Sequence, residues 1–341
     1  MKAILAGPVV ALVMALGSGP SWAADVPPMW AYGATEPTEV RLNTMAKMPP
    51  VVIPPAPELD DTKKLSLPGT TAQFTAAQIF NRYAPADWFP GDHPEMPEIV
   101  AKGREAATRP IWACAGCHLP NGRGTPGTAN LTGSTFEYLM QQLYDFKNGR
   151  RESSDHRKVE TQLMVAFAKA MTSEDIEAAA RYYASLKPAP WITVVESDTA
   201  PKTEVRDGIF VPLTGKSAGT EPLGNRIVEV PSNLEDFEKH NPRAKFTAYV
   251  PKGSVERGES LVRTGGGVIV PCVECHGDNL QGGGSFPAIA GRAPSYLMRQ
   301  MFDMQQRKRE GLLSIQMAPL LYSISQDDML AAAAYLATLA P

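Results

Sequence analysis

Two short stretches decide the fold: Cys114-Ala115-Gly116-Cys117-His118 and Cys272-Val273-Glu274-Cys275-His276. They contain all four cysteines of the chain, and the second begins 158 residues after the first. Working outward from each, the same landmarks recur. Twenty residues separate His118 from Tyr138 and His276 from Tyr296. The runs Tyr138-Leu139-Met140-Gln141-Gln142-Leu143-Tyr144-Asp145 and Tyr296-Leu297-Met298-Arg299-Gln300-Met301-Phe302-Asp303 then agree at Tyr, Leu, Met, the second Gln and Asp. Their apolar spacing predicts amphipathic helices. Further on, Thr172-Ser173-Glu174-Asp175-Ile176 matches Ser325-Gln326-Asp327-Asp328-Met329. Each is a hydroxyl N-cap followed by acids that complement the helix dipole. The last helices end in Tyr182-Tyr183-Ala184-Ser185-Leu186 and Tyr335-Leu336-Ala337-Thr338-Leu339. One helical module therefore occurs twice.

A C-x-x-C-H pentapeptide on one helical turn offers two thiols, each able to form a thioether with a vinyl group of the same porphyrin. It also delivers the adjoining imidazole to the iron. On this reading Cys114, Cys117 and His118 hold one covalent haem c, and Cys272, Cys275 and His276 hold a second. Three other chemistries use the same residues. A thioredoxin-like couple needs a preceding strand and a low-pKa thiolate at a helix start. A zinc site needs two distant pairs, each in its own repeat, to converge. A disulfide within C-x-x-C is strained and labile rather than structural. Two copies that consume every cysteine, both followed by His, favour haem.

The register of the last helix, run backwards, sets Met164 opposite Met317, each eight residues before its N-cap and on the loop side of that helix. A thioether there closes the sixth position of the iron, and Met/His ligation raises the reduction potential. The chain has 14 methionines, so packing is the default reading for the others. Met140, Met298, Met301, Met304 and Met171 fall in that group, Met171 aligning with apolar Ile324. Met317-Ala318-Pro319 also breaks the backbone as a ligand loop requires.

Together, the C-x-x-C-H motifs, the Tyr-Leu helices, the Met loops and a final helix of the kind Asp327-Asp328-Met329 to Tyr335-Leu336 resemble class I cytochrome c domains. The tandem resembles the dihaem class I cytochromes c of bacterial periplasms. The resemblance spans about residues 92–187 and 252–341. It implies an all-α fold wrapped around each haem. In that family a proline carbonyl often receives the proximal histidine's N–H. Pro287 fits that role for His276. The equivalent position in the first repeat is Ala129, which keeps the carbonyl but frees its backbone, so the bond to His118 is less secured. Arg151 and Arg309 occupy equivalent positions where a guanidinium can pair with a haem propionate, a solvated surface arginine being the alternative.

The remainder of the 341 residues supports this organisation. With 43% hydrophobic residues the chain can bury more than one core, and length allows about two domains. Lys and Arg total 33 against 36 Asp and Glu, without long runs, which excludes a nucleic-acid binder relying on a general basic field. Residues 1–23 read as a signal peptide: Lys2, an apolar stretch from Ala3 to Leu16, and Ser21-Trp22-Ala23 for cleavage before Ala24. A Pro-rich extension follows over 24–72, then the first module (73–187), an irregular interdomain linker (188–251) and the second module (252–341). Phe74 to Tyr83 has helical spacing, while Trp191-Ile192-Thr193-Val194-Val195 and Ile227-Val228-Glu229-Val230 are short extended runs that suit packing along both modules.

With both axial positions filled, an iron has no open site for substrate and cycles one electron at a time. The expected function is thus a periplasmic electron carrier between redox proteins, from a periplasmic dehydrogenase to a downstream cytochrome or oxidase, without nucleic acid or a membrane span in the mature chain. A dihaem peroxidase is the rival; it needs a displaceable sixth ligand and a distal acid or base from His93, His156 or His240. A haem-bearing subunit of a dehydrogenase complex is the third reading.

Overall fold

In the computed structural model, which describes residues 26–34 and 58–341, the signal peptide and most of the Pro-rich extension lie outside the described residues. β1 (Lys64–Ser66) and β2 (Gln73–Thr75) pair antiparallel and lead into α1 (Ala76–Ile79). Thr75 opens that helix with a capping box through Gln78. The helical spacing over Phe74 to Tyr83 is therefore realised in only one turn, and the strand pair straddles the boundary between 72 and 73, where the module was expected to start. The first repeat continues with α2 (Glu98–Ala101), α3 (Cys114–His118), α4 (Phe136–Lys147), α5 (Val159–Ala170) and α6 (Ser173–Ala184). Val100, Leu139, Phe167, Met171 and Ile176 form its buried centre.

The segment between the repeats is built of strands: β3 (Ile192–Glu196), β4 (Thr199–Pro201), β5 (Thr203–Arg206), β6 (Ile209–Pro212), β7 (Thr220–Pro222) and β8 (Val228–Pro231). A short α7 (Leu234–Glu238) and β9 (Phe246–Val250) complete it. β9 runs parallel to β3 and antiparallel to β8, while β4 pairs with β7 and β5 with β6. The all-α expectation is thus corrected: it describes the rest of the repeats but fails for the β1–β2 pair and for 188–251, which is also not irregular. Pro201, Pro212, Pro222 and Pro231 each occupy the last residue of a strand, where a missing N–H is tolerated. Those prolines made the segment read as loop. In β9, Phe246, Ala248 and Val250 alternate inward with strand period.

The second repeat comprises α8 (Ser254–Thr264), α9 (Val273–His276), α10 (Pro294–Gln305), α11 (Ala318–Leu321) and α12 (Gln326–Thr338). α8 crosses α12 at Gly258, where a β-carbon would stand 2.0 Å from the Ala331 carbonyl oxygen. Only glycine permits that approach.

The repeats meet face to face. Arg151 and Arg309, equivalent at the 158-residue offset, form an antiparallel bridge. Glu152 N donates to Lys308 O and Glu310 N to Arg150 O, both at 2.7 Å. Residue i contacting j while j's equivalent contacts i's is the mark of a two-fold relation. The N-terminal piece takes one 3-10 turn, Met29–Tyr32, against α10. Tyr32 Oη donates to Asp303 Oδ1 at 2.7 Å, and Arg299 Nη1 to Ala31 O at 2.5 Å. This part of the extension therefore lies on the second repeat.

Candidate haem-binding sites

Both C-x-x-C-H motifs fold as single helical turns, and the chain leaves each histidine by the same route. Leu119 takes φ 63° and its counterpart Gly277 φ 81°. The first repeat thus places a side chain in a region that favours glycine. Gly124 N returns to His118 O at 2.8 Å, and Gly282 N to His276 O at 2.9 Å. Each loop then delivers a carbonyl to the ring: Ala129 O lies 2.9 Å from His118 Nδ1, and Pro287 O lies 2.9 Å from His276 Nδ1. A carbonyl only accepts, so Nδ1 carries the proton and Nε2 keeps its lone pair. The Ala129 contact is as short as the one to Pro287, although its loop lacks the proline. Burial holds both imidazoles below the usual histidine range, in spite of the carbonyls.

No disulfide joins any of the four cysteines. Burial pushes Cys114 to about 12, and Cys117 and Cys272 to about 11. A redox couple needs the opposite shift. Among the described residues no three of His, Cys, Asp and Glu converge to hold a metal, so the pairs do not build a shared zinc site. Haem c fits the donors present: unbridged thiols, an oriented imidazole with a free Nε2, and a Tyr183 hydroxyl buried beside Cys114 and Cys117 without a partner. The Tyr183 ring stands edge-on to His118, with centroids 6.0 Å apart.

The two methionines differ in setting. Met164 is half-buried in the second turn of α5 and not on a loop. Met317 is half-buried at the start of α11, against the second core. Met171 and Ile324 are both buried, as packing residues are.

Arg151 and Arg309 are not surface residues. They are 8% and 4% exposed and lie between the repeats. Arg151 donates to Gln142 Oε1, Gln300 Oε1 and Tyr296 Oη at 2.9, 2.9 and 3.2 Å. Arg309 mirrors it on Gln300 Oε1, Gln142 Oε1 and Tyr138 Oη at 3.0, 2.7 and 2.9 Å. Arg309 Nε has no partner. Burial raises Tyr296, but Arg151, Arg309 and Arg292 outweigh it and hold the phenol below its usual range. Arg151, Arg309 and Arg292 thus concentrate positive charge around Tyr296 where the repeats meet. Tyr138, Tyr296, Gln142 and Gln300 were visible as matched positions of the repeat, but nothing in a linear pattern says that matched residues touch.

Two of the three rival histidines are engaged elsewhere. His93 Nε2 faces Asp87 at 3.2 Å and its Nδ1 lies 2.9 Å from Pro94 O. His240 packs edge-on to Phe80, and burial lowers it to about 4. His156 is exposed.

A pair of cysteines and a carbonyl-oriented histidine on one turn, repeated twice, suit a carrier of covalent haem. Residues 100–187 match the family described as Cytochrome c. The chain is 33% identical over 76 residues to cytochrome c-554(548) of Halomonas halodenitrificans, covering 22% of this chain and 86% of that protein. It belongs to the cytochrome c family, whose members bind haem c covalently, and is an electron-transfer protein. It is also 25% identical over 209 residues to the thiosulfate dehydrogenase electron acceptor of Thiomonas intermedia, covering 60% of this chain and 69% of that one. Among solved structures, the thiosulfate dehydrogenase TsdBA of Marichromatium purpuratum aligns with a TM-score of 0.45 at 27% identity, over 69% of this chain; the chain spans 38% of that protein. Among the described residues no helix is long and apolar enough to cross a membrane.

Proposed function

We propose that the chain is an exported, periplasmic cytochrome of two class I domains, about 73–187 and 252–341, each carrying one haem c. Cys114 and Cys117 would anchor the first through thioethers, with His118 and Met164 as axial ligands. Cys272, Cys275, His276 and Met317 would do the same for the second, and Arg151 and Arg309 would face the propionates. The haem supplies one-electron Fe(III)/Fe(II) cycling. The protein's part is to fix the imidazoles through Ala129 O and Pro287 O and to exclude water from the iron. The observation that carries this reading is the repetition of a 2.9 Å Nδ1 to carbonyl contact beside two unbridged thiols in both repeats. The donor would be a periplasmic dehydrogenase, with a thiosulfate-oxidising one the first to try, and the acceptor a downstream cytochrome or oxidase.

The test is the denatured mass and pyridine haemochrome of protein matured in a host able to attach haem c. Two haems per chain are expected, and one or none overturns the assignment. Stopped-flow reduction by a thiosulfate dehydrogenase then reads the donor.

A further inference from the structure

Arg292 is 5% exposed, and the structure gives it no carboxylate partner. Its guanidinium donates from Nε to Ala288 O at 3.1 Å, from Nη1 to Asn130 O, and from Nη2 to Thr132 O at 2.9 Å and Ser134 Oγ at 3.3 Å. Ala288 and Asn130 are equivalent positions of the two repeats, 158 residues apart. Each directly follows the residue whose carbonyl takes the proton of a proximal histidine: Pro287 for His276, Ala129 for His118. Arg292 is itself equivalent to Ser134, one of its own acceptors. One side chain, supplied by the second repeat alone, therefore ties down both histidine-holding loops where the repeats meet. Burying a guanidinium without a counter-charge is costly, and its donors are here spent on ordering backbone.

We infer that Arg292 is a positioning residue for both proximal imidazoles, acting through the Ala129-Asn130 and Pro287-Ala288 loops. The inference rests on the haem ligation proposed above. It accounts for the short Ala129 bond: the tie at Asn130 replaces the stiffness that proline gives the other loop. The stronger the Nδ1–H to carbonyl bond, the more electron density the imidazole offers the iron, so loosening the loops weakens that donation. Because one fork serves both loops, a change at Arg292 reaches both haems, the first more than the second.

The test uses the mature holoprotein and three variants: Arg292→Lys, Arg292→Ser, and the exchange Arg292→Ser with Ser134→Arg. Lysine keeps the charge but is a point donor that cannot span four acceptors. The exchange moves the guanidinium to the equivalent place, from which the two-fold relation lets it reach Asn130 O and Ala288 O from the opposite side. Readouts are the two midpoint potentials and NMR exchange of the two histidine ring N–H protons in the reduced protein. Both single changes are expected to shift both midpoints and to speed exchange at both rings by roughly tenfold or more, as local opening becomes easier. The larger effect should fall at His118, and the exchange variant should return both readouts toward the parent. Unchanged readouts in Arg292→Lys, a change confined to one haem, or an exchange variant as perturbed as Arg292→Ser overturns the inference. If Arg292→Ser does not fold, Arg292→Lys and the exchange variant still decide. Haem content of the same preparations separates the failures: two haems with parental potentials sink only the role of Arg292, whereas a parent without covalent haem sinks the ligation as well.

Discussion

Met164 and Met317 each offer one thioether sulfur from different surroundings, one within a helix and one at a helix start. As axial ligands each would raise its haem's potential, so Met164→Ala and Met317→Ala should lower one midpoint apiece, by a sizeable part of the about 0.8 V over which axial ligands set haem potentials. Each should remove one sulfur-to-iron absorption band in the oxidised spectrum; spectra and potentials unchanged in both would retire the pair. A second residue-scale effect concerns Glu229. Its Oε2 accepts from Ser295 N at 2.9 Å, its Oε1 has no partner, and burial raises its pKa from 4.5 to about 7, against the pull of Ser295 and Arg299. Between about 4.5 and 7 the folded chain holds a proton that the unfolded chain has released. Stability therefore falls as pH rises through that window and levels off above it. Glu229→Gln keeps the acceptor for Ser295 and removes the titration. Denaturant unfolding at pH 5 and pH 8 should show a smaller loss in the variant than in the parent.

At the scale of elements, the last helix of each repeat starts from the same device. Thr172 and Asp175 reciprocate backbone bonds at α6, as Ser325 and Asp328 do at α12. Thr172→Ala and Ser325→Ala should each cost about 1 kcal/mol, within the 0.5–2 kcal/mol range of lost N-caps, and by similar amounts because the boxes are alike. Thermal unfolding of the two variants measures this. These boxes were legible in the sequence because capping is local: four consecutive residues suffice. α3, α4, α9 and α10 were legible for a related reason, each lying at a fixed distance from a repeated motif. The strands of 188–251 were only half legible. Ile192 to Val195 and Val228 to Val230 carried extended runs, whereas β4 and β7 have three residues each, and their pairing depends on contacts some twenty residues away. Met164 shows the opposite limit: register located the residue, yet whether the chain around it is loop or helix depends on what α5 packs against.

The relation between the repeats belongs to the whole molecule. The sequence reveals two copies; that the copies face each other emerges only from the bonds that cross between them. Arg151 and Arg309 both donate to the same two oxygens, Gln142 Oε1 and Gln300 Oε1. Two cations held this close also repel, which makes the pair one unit. With Arg151→Met, each glutamine oxygen keeps a donor from Arg309 and the repulsion is relieved, so the loss is limited to the donor on Tyr296 Oη; Arg309→Met likewise costs only the donor on Tyr138 Oη. With both arginines gone, two buried oxygens lose all guanidinium donors, and the cost of a stripped buried acceptor is about 1–3 kcal/mol each. The double variant should therefore lose more stability than the two single losses combined, with a coupling of about 0.5–3 kcal/mol. Denaturant unfolding of the four proteins in the cycle reads it directly. Strict additivity would mean that the two arginines act on separate surfaces, and the two-fold interface would then be no energetic unit. Coupling of the expected sign would make the two repeats a folded pair whose halves stabilise each other through residues that neither half can satisfy alone.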